Sequence, residues 1–363
     1  MFQPPLPVEY TRLSPEETAK RIGVAKTALG QNLLILGHHY QRDEIIRWAD
    51  FRGDSFMLSR EAASARDARY IVFCGVHFMA ESADILTGDD QQVILPNLSA
   101  GCSMADMANI RQVEEAWKSI SGVVGEQALI PITYVNSAAS LKDFVGRHNG
   151  SCCTSSNARK ALEWALAEGR RLFFFPDQHL GRNTAVGMGY NPDEDMVLWD
   201  PYQPFGGTTP KKIASSRIIL WKGHCSVHGR FTVEQITQAR AVDPAVRVIV
   251  HPECELSVVE AADENGSTEY IIKQVSASPA GSTWAIGTEI NLVNRLHDEM
   301  PEKKIFCLDP VVCPCATMYR IHPHFLLYVL EKLVHGEVVN RITVKPDIKA
   351  GARLSLERML EIA

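Results

Sequence analysis

The feature that most constrains this chain is one strand–turn–helix phrase written three times. "QNLLILGHHYQRDEIIRWADF", "QALIPITYVNSAASLKDFV" and "AVRVIVHPECELSVVEAAD" each open on a leucine-rich or β-branched run. Polar residues sit where the run ends, and apolar residues at helical spacing follow. Strands alternating with helices predict parallel sheets between helical layers. A second polar cluster trails each phrase: "IVFCGVHFMAES", "SCCTSSNARKALEWAL" and "NGSTEYII". A third element then runs into cysteine: "QVILPNLSAGCSMAD" at Cys102, "RIILWKGHCSVHGRF" at Cys225, and "KKIFCLDPVVCPCATM" at Cys313 and Cys315.

The expected fold is α/β, with three similar αβα (Rossmann-like) domains in a pseudo-threefold arrangement around a central active site. Open α/β sheets bind ligands outside the carboxyl ends of their strands, and the polar clusters fall there. The repeats set the domains at 1–107, 108–230 and 231–318. In "SPEETAKRI", Ser14 is an N-cap, Pro15 the first helical residue and Glu17 the capping-box position. "GARLSLERMLEIA" reads as an amphipathic helix, and the segment 319–363 is expected to pack back on the first domain.

Composition narrows the function. A chain of 363 residues exceeds one small core, and 45% hydrophobic with 22% charged residues is an ordinary globular balance. A net charge of −6 argues against nucleic-acid binding, which needs a basic face. No run approaches the roughly 18 apolar residues of a membrane span. "MFQPPLPVEYTRLSPEE" lacks both the basic and the apolar region of a secretory signal, so a cytoplasmic location is expected.

Nine cysteines is an odd number, and disulfides are rare in a reducing cytosol. Several lie in or just after apolar runs, where a lone cysteine behaves as a small buried hydrophobe. Cys102, Cys225 and the 313/315 pair recur once per copy, in phrases carrying glycine ("SAGC", "KGHC") or proline ("PVVCPC"). Three thiolates suit a cubane cluster with one open iron, or a zinc ion. Two other readings stand beside these. The three cysteines are simply buried, or His224, Cys225 and His228 in "HCSVH" hold zinc.

Taken together, "GHHYQRDEI…WADFRGDS", "CGVHFMAESADIL", "AGCSMAD", "TYVNS", "CTSSNA", "FFPDQHLG", "WKGHCSVH", "VHPEC", "GST", "IGTE" and "CATMYRI" resemble the quinolinate synthase family, the A protein of bacterial and plastid NAD biosynthesis. The resemblance runs in order from about residue 31 to the C-terminus. It implies three αβα domains around a [4Fe–4S] cluster held by three cysteines. It also implies condensation of iminoaspartate with dihydroxyacetone phosphate to quinolinate, phosphate and water, the open iron acting as Lewis acid. The ligand positions fall on Cys102 and Cys225. The third stands in a C-x-x-M phrase, which fits Cys315 to Met318, with Cys313 as the alternative. The implied partners are the two small substrates; docking of an L-aspartate-oxidising enzyme that supplies the imine stays open.

The same resemblance gives His38 charge stabilisation and Tyr40 proton transfer at the end of the first strand; the plainer reading is that His39 or His38 caps the following helix, and His39 is assigned to it. It sets Ser55 in "GDS" and Ser155 in "CTSSN" against a substrate carboxylate. Each serine alone reads as a helix N-cap, which uses the same free amides. A strand's period of two puts Tyr134 and Asn136 on one face, and His251 and Glu253 in "VHPE" repeat that spacing. The latter pair is either an acid–base couple, the carboxylate setting the imidazole tautomer, or a structural ion pair. Ser267 and Thr268 after glycine in "NGST" form a hydroxyl nest for phosphate or carboxylate. The expected catalytic residues are Tyr40, Tyr134, His251 and Glu253. Substrate contacts are expected from these last three and from His38, Ser55, Asn136, Ser155, Ser267 and Thr268. His77 and Glu81 either flank the cavity or pair on a helix. Asp177 in "PDQHLG" serves the site or caps a turn, and Cys254 is a bystander. A cluster-bearing oxygen sensor and a zinc hydrolase are the competing functions.

Overall fold

The computed structural model describes residues 2–311 and 313–362. Three sheets form. The first holds β1 (Leu33–His38), β2 (Phe51–Gly53), β3 (Tyr70–Cys74) and β4 (Gln92–Ile94), all parallel. The second holds β5 (Leu129–Tyr134), β6 (Ser151–Cys153), β7 (Arg171–Phe175), β8 (Met196–Trp199) and β9 (Ile218–Trp221), again parallel. The third holds β10 (Arg247–Val250), β11 (Glu264–Asn265), β12 (Thr283–Gly287) and β13 (Lys304–Cys307). A short β14 (Arg341–Ile342) closes the first sheet antiparallel to β4.

The triplication is visible in the strand order. Each sheet places its second strand first, then its first and its third: β2-β1-β3-β4, β6-β5-β7-β9-β8 and β11-β10-β12-β13; the fourth strand comes next in the first and third sheets, whereas in the second the fifth strand, β9, lies between β7 and β8. The sequences explain this layering. β1, β5, β7 and β9 are almost unbroken apolar runs and bury both faces, as parallel strands between helices must. On β7, Phe173 and Phe175 join Trp117, Phe144 and Trp221 in one core cluster, while the pleat turns Phe174 the other way. Trimming such a phenylalanine to alanine costs about 3–5 kcal/mol.

The chain divides into two compact units. One comprises Met1–Cys102, Ile290–Leu292 and Cys313–Lys345; the other comprises Ser103–Glu289, Val293–Val312 and Pro346–Ala363. The first sheet belongs to the first unit, and the second and third sheets belong to the second.

The C-terminal segment corrects the expectation that 319–363 packs on the first domain. Its earlier part does belong with the first sheet. The helix Pro346–Glu361 instead lies on the helix Ala139–Arg147 and on β6. Paired glycines permit the approach: a β-carbon at Gly146 would collide with the Gly351 carbonyl. Ser355 Oγ donates to the Lys142 carbonyl at 2.9 Å, and Asn157 Nδ2 donates to the Met359 carbonyl at 3.0 Å. Ser14 caps the helix Pro15–Leu29 as expected, accepting the Glu17 amide at 3.1 Å.

Candidate active site

In all three sheets the strand order reverses between the first and third strands, and ligands enter an α/β sheet at that crevice. The polar residues singled out in the sequence end those strands.

In the first unit, His38 closes β1 and is buried. Its Nδ1 accepts the Tyr40 amide at 3.1 Å, and the two rings meet edge-on with centroids 4.8 Å apart. That acceptor role leaves the proton of the neutral imidazole on Nε2. Asp54, not Ser55, caps the helix Ser55–Ser64 by accepting the Met57 amide at 2.9 Å. Ser55 is therefore the first residue of that helix and not its cap. His77 and Glu81 approach to 3.8 Å along one helix.

The second unit gathers the richest set. Tyr134 ends β5 and donates its phenol to Glu253 Oε1 at 2.6 Å. His228 Nδ1 meets Glu253 Oε2 at 2.8 Å, and its Nε2 lies 3.2 Å from Thr288 Oγ1. His251, just past β10, stacks on His228 with ring centroids 4.2 Å apart. Its Nδ1 accepts the Glu253 amide at 3.3 Å and stays 3.8 Å from the carboxylate. Here the sequence reading needs correction. Glu253 fixes the tautomer of His228, whereas a backbone amide fixes that of His251. Asn183 holds this loop from beneath, donating to the carbonyls of Pro252 at 2.8 Å and Cys254 at 2.7 Å.

Burial sets the charges. It would raise the Glu253 carboxyl, but the imidazoles of His228 and His251 and the hydrogen bonds from His228 and Tyr134 outweigh it and hold the group below its ordinary range. Burial, then the neighbouring His228, pushes His251 down to about 3. Asp177 goes the other way: burial, then the Glu253 charge, pushes it well above the usual carboxylate range. Asp177 caps the helix Gln178–Gly187 through Oδ1, which accepts the amides of His179 and Leu180. Its buried Oδ2 has no hydrogen-bond partner among the described residues. Two buried carboxyls in one loop cluster are thus shifted in opposite directions.

The remaining expected residues divide. Asn136 follows β5 and buries Oδ1 without a hydrogen-bond partner among the described residues. Ser155 escapes capping, because Asn157 precedes the helix Ala158–Leu166 and accepts the Thr154 amide at 2.8 Å. Ser267 is a cap: it accepts the Tyr270 amide at 3.3 Å ahead of Thr268–Ala277, leaving Thr268 as the first helical residue.

The cysteines sort by environment. Cys74, Cys152, Cys153 and Cys254 are fully buried, and burial raises their thiols, Cys74 to about 12 and Cys152 to about 11. Cys102, Cys225 and Cys315 are half-buried and lie outside strands, and Cys313 is exposed. Gly223, just before His224 and Cys225, has no room for a side chain: a β-carbon would collide with the Pro176 carbonyl. The donor set forecast for zinc also changes. His224 is exposed, and the atoms that converge within 4.8 Å come from Cys225, His228 and Glu253.

Comparison with known proteins settles the family. The profile described as "NadA: Quinolinate synthetase A protein" matches residues 20–361. The chain belongs to the quinolinate synthase A family. A quinolinate synthase of Corynebacterium glutamicum is 58% identical over 357 residues, covering 98% of this chain and 90% of that one. One of Anoxybacillus flavithermus is 54% identical over 358 residues, covering 98% and 96%. One of Nocardioides is 55% identical over 350 residues, covering 94% and 89%. No described helix is long and apolar enough to cross a membrane. Within this family fold, reading the sequence missed His228 as the partner of Glu253, together with Thr288 and Asn183. The signal was present in "HCSVH" and "IGTE", both at strand ends.

Proposed function

We propose that this chain is a cytoplasmic quinolinate synthase, a transferase of NAD biosynthesis that condenses iminoaspartate with dihydroxyacetone phosphate and releases quinolinate, phosphate and water. The observation that carries this is a buried Glu253 held ionised between the Tyr134 phenol and the His228 imidazole, with Cys225 alongside.

Cys102, Cys225 and Cys315 are assigned as ligands of a [4Fe–4S] cluster. Family membership supports the assignment, and so does the donor chemistry. These are soft thiols on loops, distinct from the four fully buried ones. When bound, the cluster supplies a Lewis acid at an iron without a protein ligand.

This chain's own side chains account for the proton traffic. Tyr134 takes a substrate proton as it passes its own to Glu253. His228, its Nδ1 proton held by Glu253, presents Nε2 as a base. His251 is neutral with Nδ1 occupied, so its Nε2–H donates to a developing oxyanion without bringing a charge. Protonated Asp177 stores the acid equivalent. Asn136 Oδ1 accepts from an imine or hydroxyl of the substrate. Ser267 and Thr268, at the start of the helix Thr268–Ala277, bind phosphate or carboxylate. Tyr40, His38, Ser55 and Ser155 complete the substrate contacts.

Iron and sulfide quantitation on anaerobically prepared protein, with turnover of the two substrates, tests the reading. Bound iron and sulfide with quinolinate formation support it; a cluster without turnover would leave the oxygen-sensor reading. The convergence of Cys225, His228 and Glu253 favours one other reading, a hydrolase with a single metal ion. One zinc and no sulfide would establish it.

A further inference from the structure

In the first unit, three successive backbone carbonyls are each taken by a different buried side chain. Gln41 Nε2 donates to the Met318 carbonyl at 3.2 Å and lies 3.5 Å from Met318 Sδ. Arg42 Nη2 donates to the Tyr319 carbonyl at 2.7 Å, and its guanidinium sits 3.4 Å from the Tyr319 ring centroid. Asn97 Nδ2 donates to the Arg320 carbonyl at 2.9 Å.

These carbonyls belong to one short helical turn, Met318–Arg320, which is tied back to Cys315: the Tyr319 amide donates to the Cys315 carbonyl at 2.9 Å. Residues 313–317 have no strand or helix of their own. A single turn of this kind does not hold its shape unaided. The donors come from the two segments that matter most in this unit. Gln41 and Arg42 directly follow Tyr40. Asn97 lies in the loop to Cys102, where its Oδ1 accepts the Ser99 amide at 2.9 Å and its carbonyl accepts the Ala100 amide at 3.0 Å. The Ala100 carbonyl in turn accepts the His77 amide at 2.8 Å. One asparagine thus joins the loop of Cys102 to the loop of Cys315.

The arrangement is costly unless position matters. Arg42 is a buried cation whose Nε has no hydrogen-bond partner among the described residues. A planar guanidinium that both stacks and donates fixes the orientation of the peptide beneath it, which an apolar residue would not do.

We infer that Gln41, Arg42 and Asn97 are positioning residues for Cys315, clamping its loop through three consecutive carbonyls against the segments that carry Tyr40 and Cys102. The inference rests on the cluster reading above and names what holds one ligand in place. Partners that orient a metal ligand from behind change metal affinity by about 10–100-fold when removed.

The test uses full-length wild type, Asn97→Leu and Arg42→Lys, prepared anaerobically, with thermal midpoints recorded for each. Iron and sulfide content of the wild type tests the cluster itself. The rate of iron loss to a chelator tests retention. On metal-free protein, the alkylation rate of Cys315 by iodoacetamide, read by peptide mass with exposed Cys313 as internal reference, tests the clamp without any cluster. Both variants are expected to lose iron about 10-fold faster or more and to expose Cys315 to alkylation by a similar factor. Wild-type rates in both variants overturn the clamp while leaving the cluster in place. A wild type without iron overturns the cluster reading, and the alkylation arm still decides the clamp. Should Asn97→Leu fail to fold, Arg42→Lys alone decides, since it keeps the charge and the aliphatic stem.

Discussion

The imidazoles of His228 and His251 lie face to face, with centroids 4.2 Å apart and planes 15° apart. Two rings so close cannot both be cationic without strong repulsion. Glu253 bonds closely to His228, while burial and then the neighbouring His228 push His251 down to about 3.

A pH dependence of stability follows. The unfolded His251 imidazole takes a proton near 6.5, whereas the folded one resists until about 3. Its contribution is complete above 6.5 and drains away as pH falls toward 3, on the order of 5 kcal/mol in all. Denaturant melts of wild type and His251→Asn, stepped through that window, should show a flatter acid limb in the variant. Parallel limbs would remove His251 as the cause.

Tyr134→Phe keeps the ring and loses the hydroxyl that donates to Glu253. Turnover should fall about 10²–10⁴-fold, with a modest loss of stability, about 1.5–3 kcal/mol for a hydrogen bond to a buried charge. Steady-state kinetics beside a thermal melt separate the two effects; unchanged kcat would exclude the phenol from proton transfer.

Glu253→Gln retains shape and deletes charge. Because the carboxylate orients His228, the expected loss in kcat is about 10³-fold or more with the fold intact. Glu253→Ala should also destabilise by about 3–5 kcal/mol, since it removes one member of a buried pair. Circular dichroism melts of both variants check the contrast.

Cys315→Ser should abolish cluster incorporation, and Cys313→Ser should not. Cys315 is half-buried with Sγ 3.4 Å from Thr317 Oγ1, whereas Cys313 is exposed. Iron and sulfide per chain give the answer directly, and the reverse result would reassign the ligand.

The strands were legible because parallel strands buried on both faces leave continuous apolar runs, as in "LIPITY" and "RLFFF". Strand ends were legible too, which is why Tyr134, His251 and Glu253 stood out. Reading failed where partners come from different strands. The spacing of His251 and Glu253 suggested a couple, yet the carboxylate closes on His228, delivered by the loop after β9. The alternative zinc set took in His224 by adjacency; its side chain is exposed, and Glu253 converges with Cys225 and His228 instead. The C-terminal helix was readable as a helix, but an apolar stripe does not name the surface it covers. Gly351 was the one trace of a close neighbour.

That helix has a kinetic implication. Ser355 reaches the carbonyl of Lys142 across 213 residues of chain, and its Oγ also lies 3.3 Å from Cys152 Sγ on β6. Early in synthesis the second sheet can collapse locally, but one flank stays wet until residues beyond 346 emerge and settle on it. Pairings so distant along the polypeptide slow folding. The half-finished sheet is then the stage at which this protein most needs shelter from aggregation.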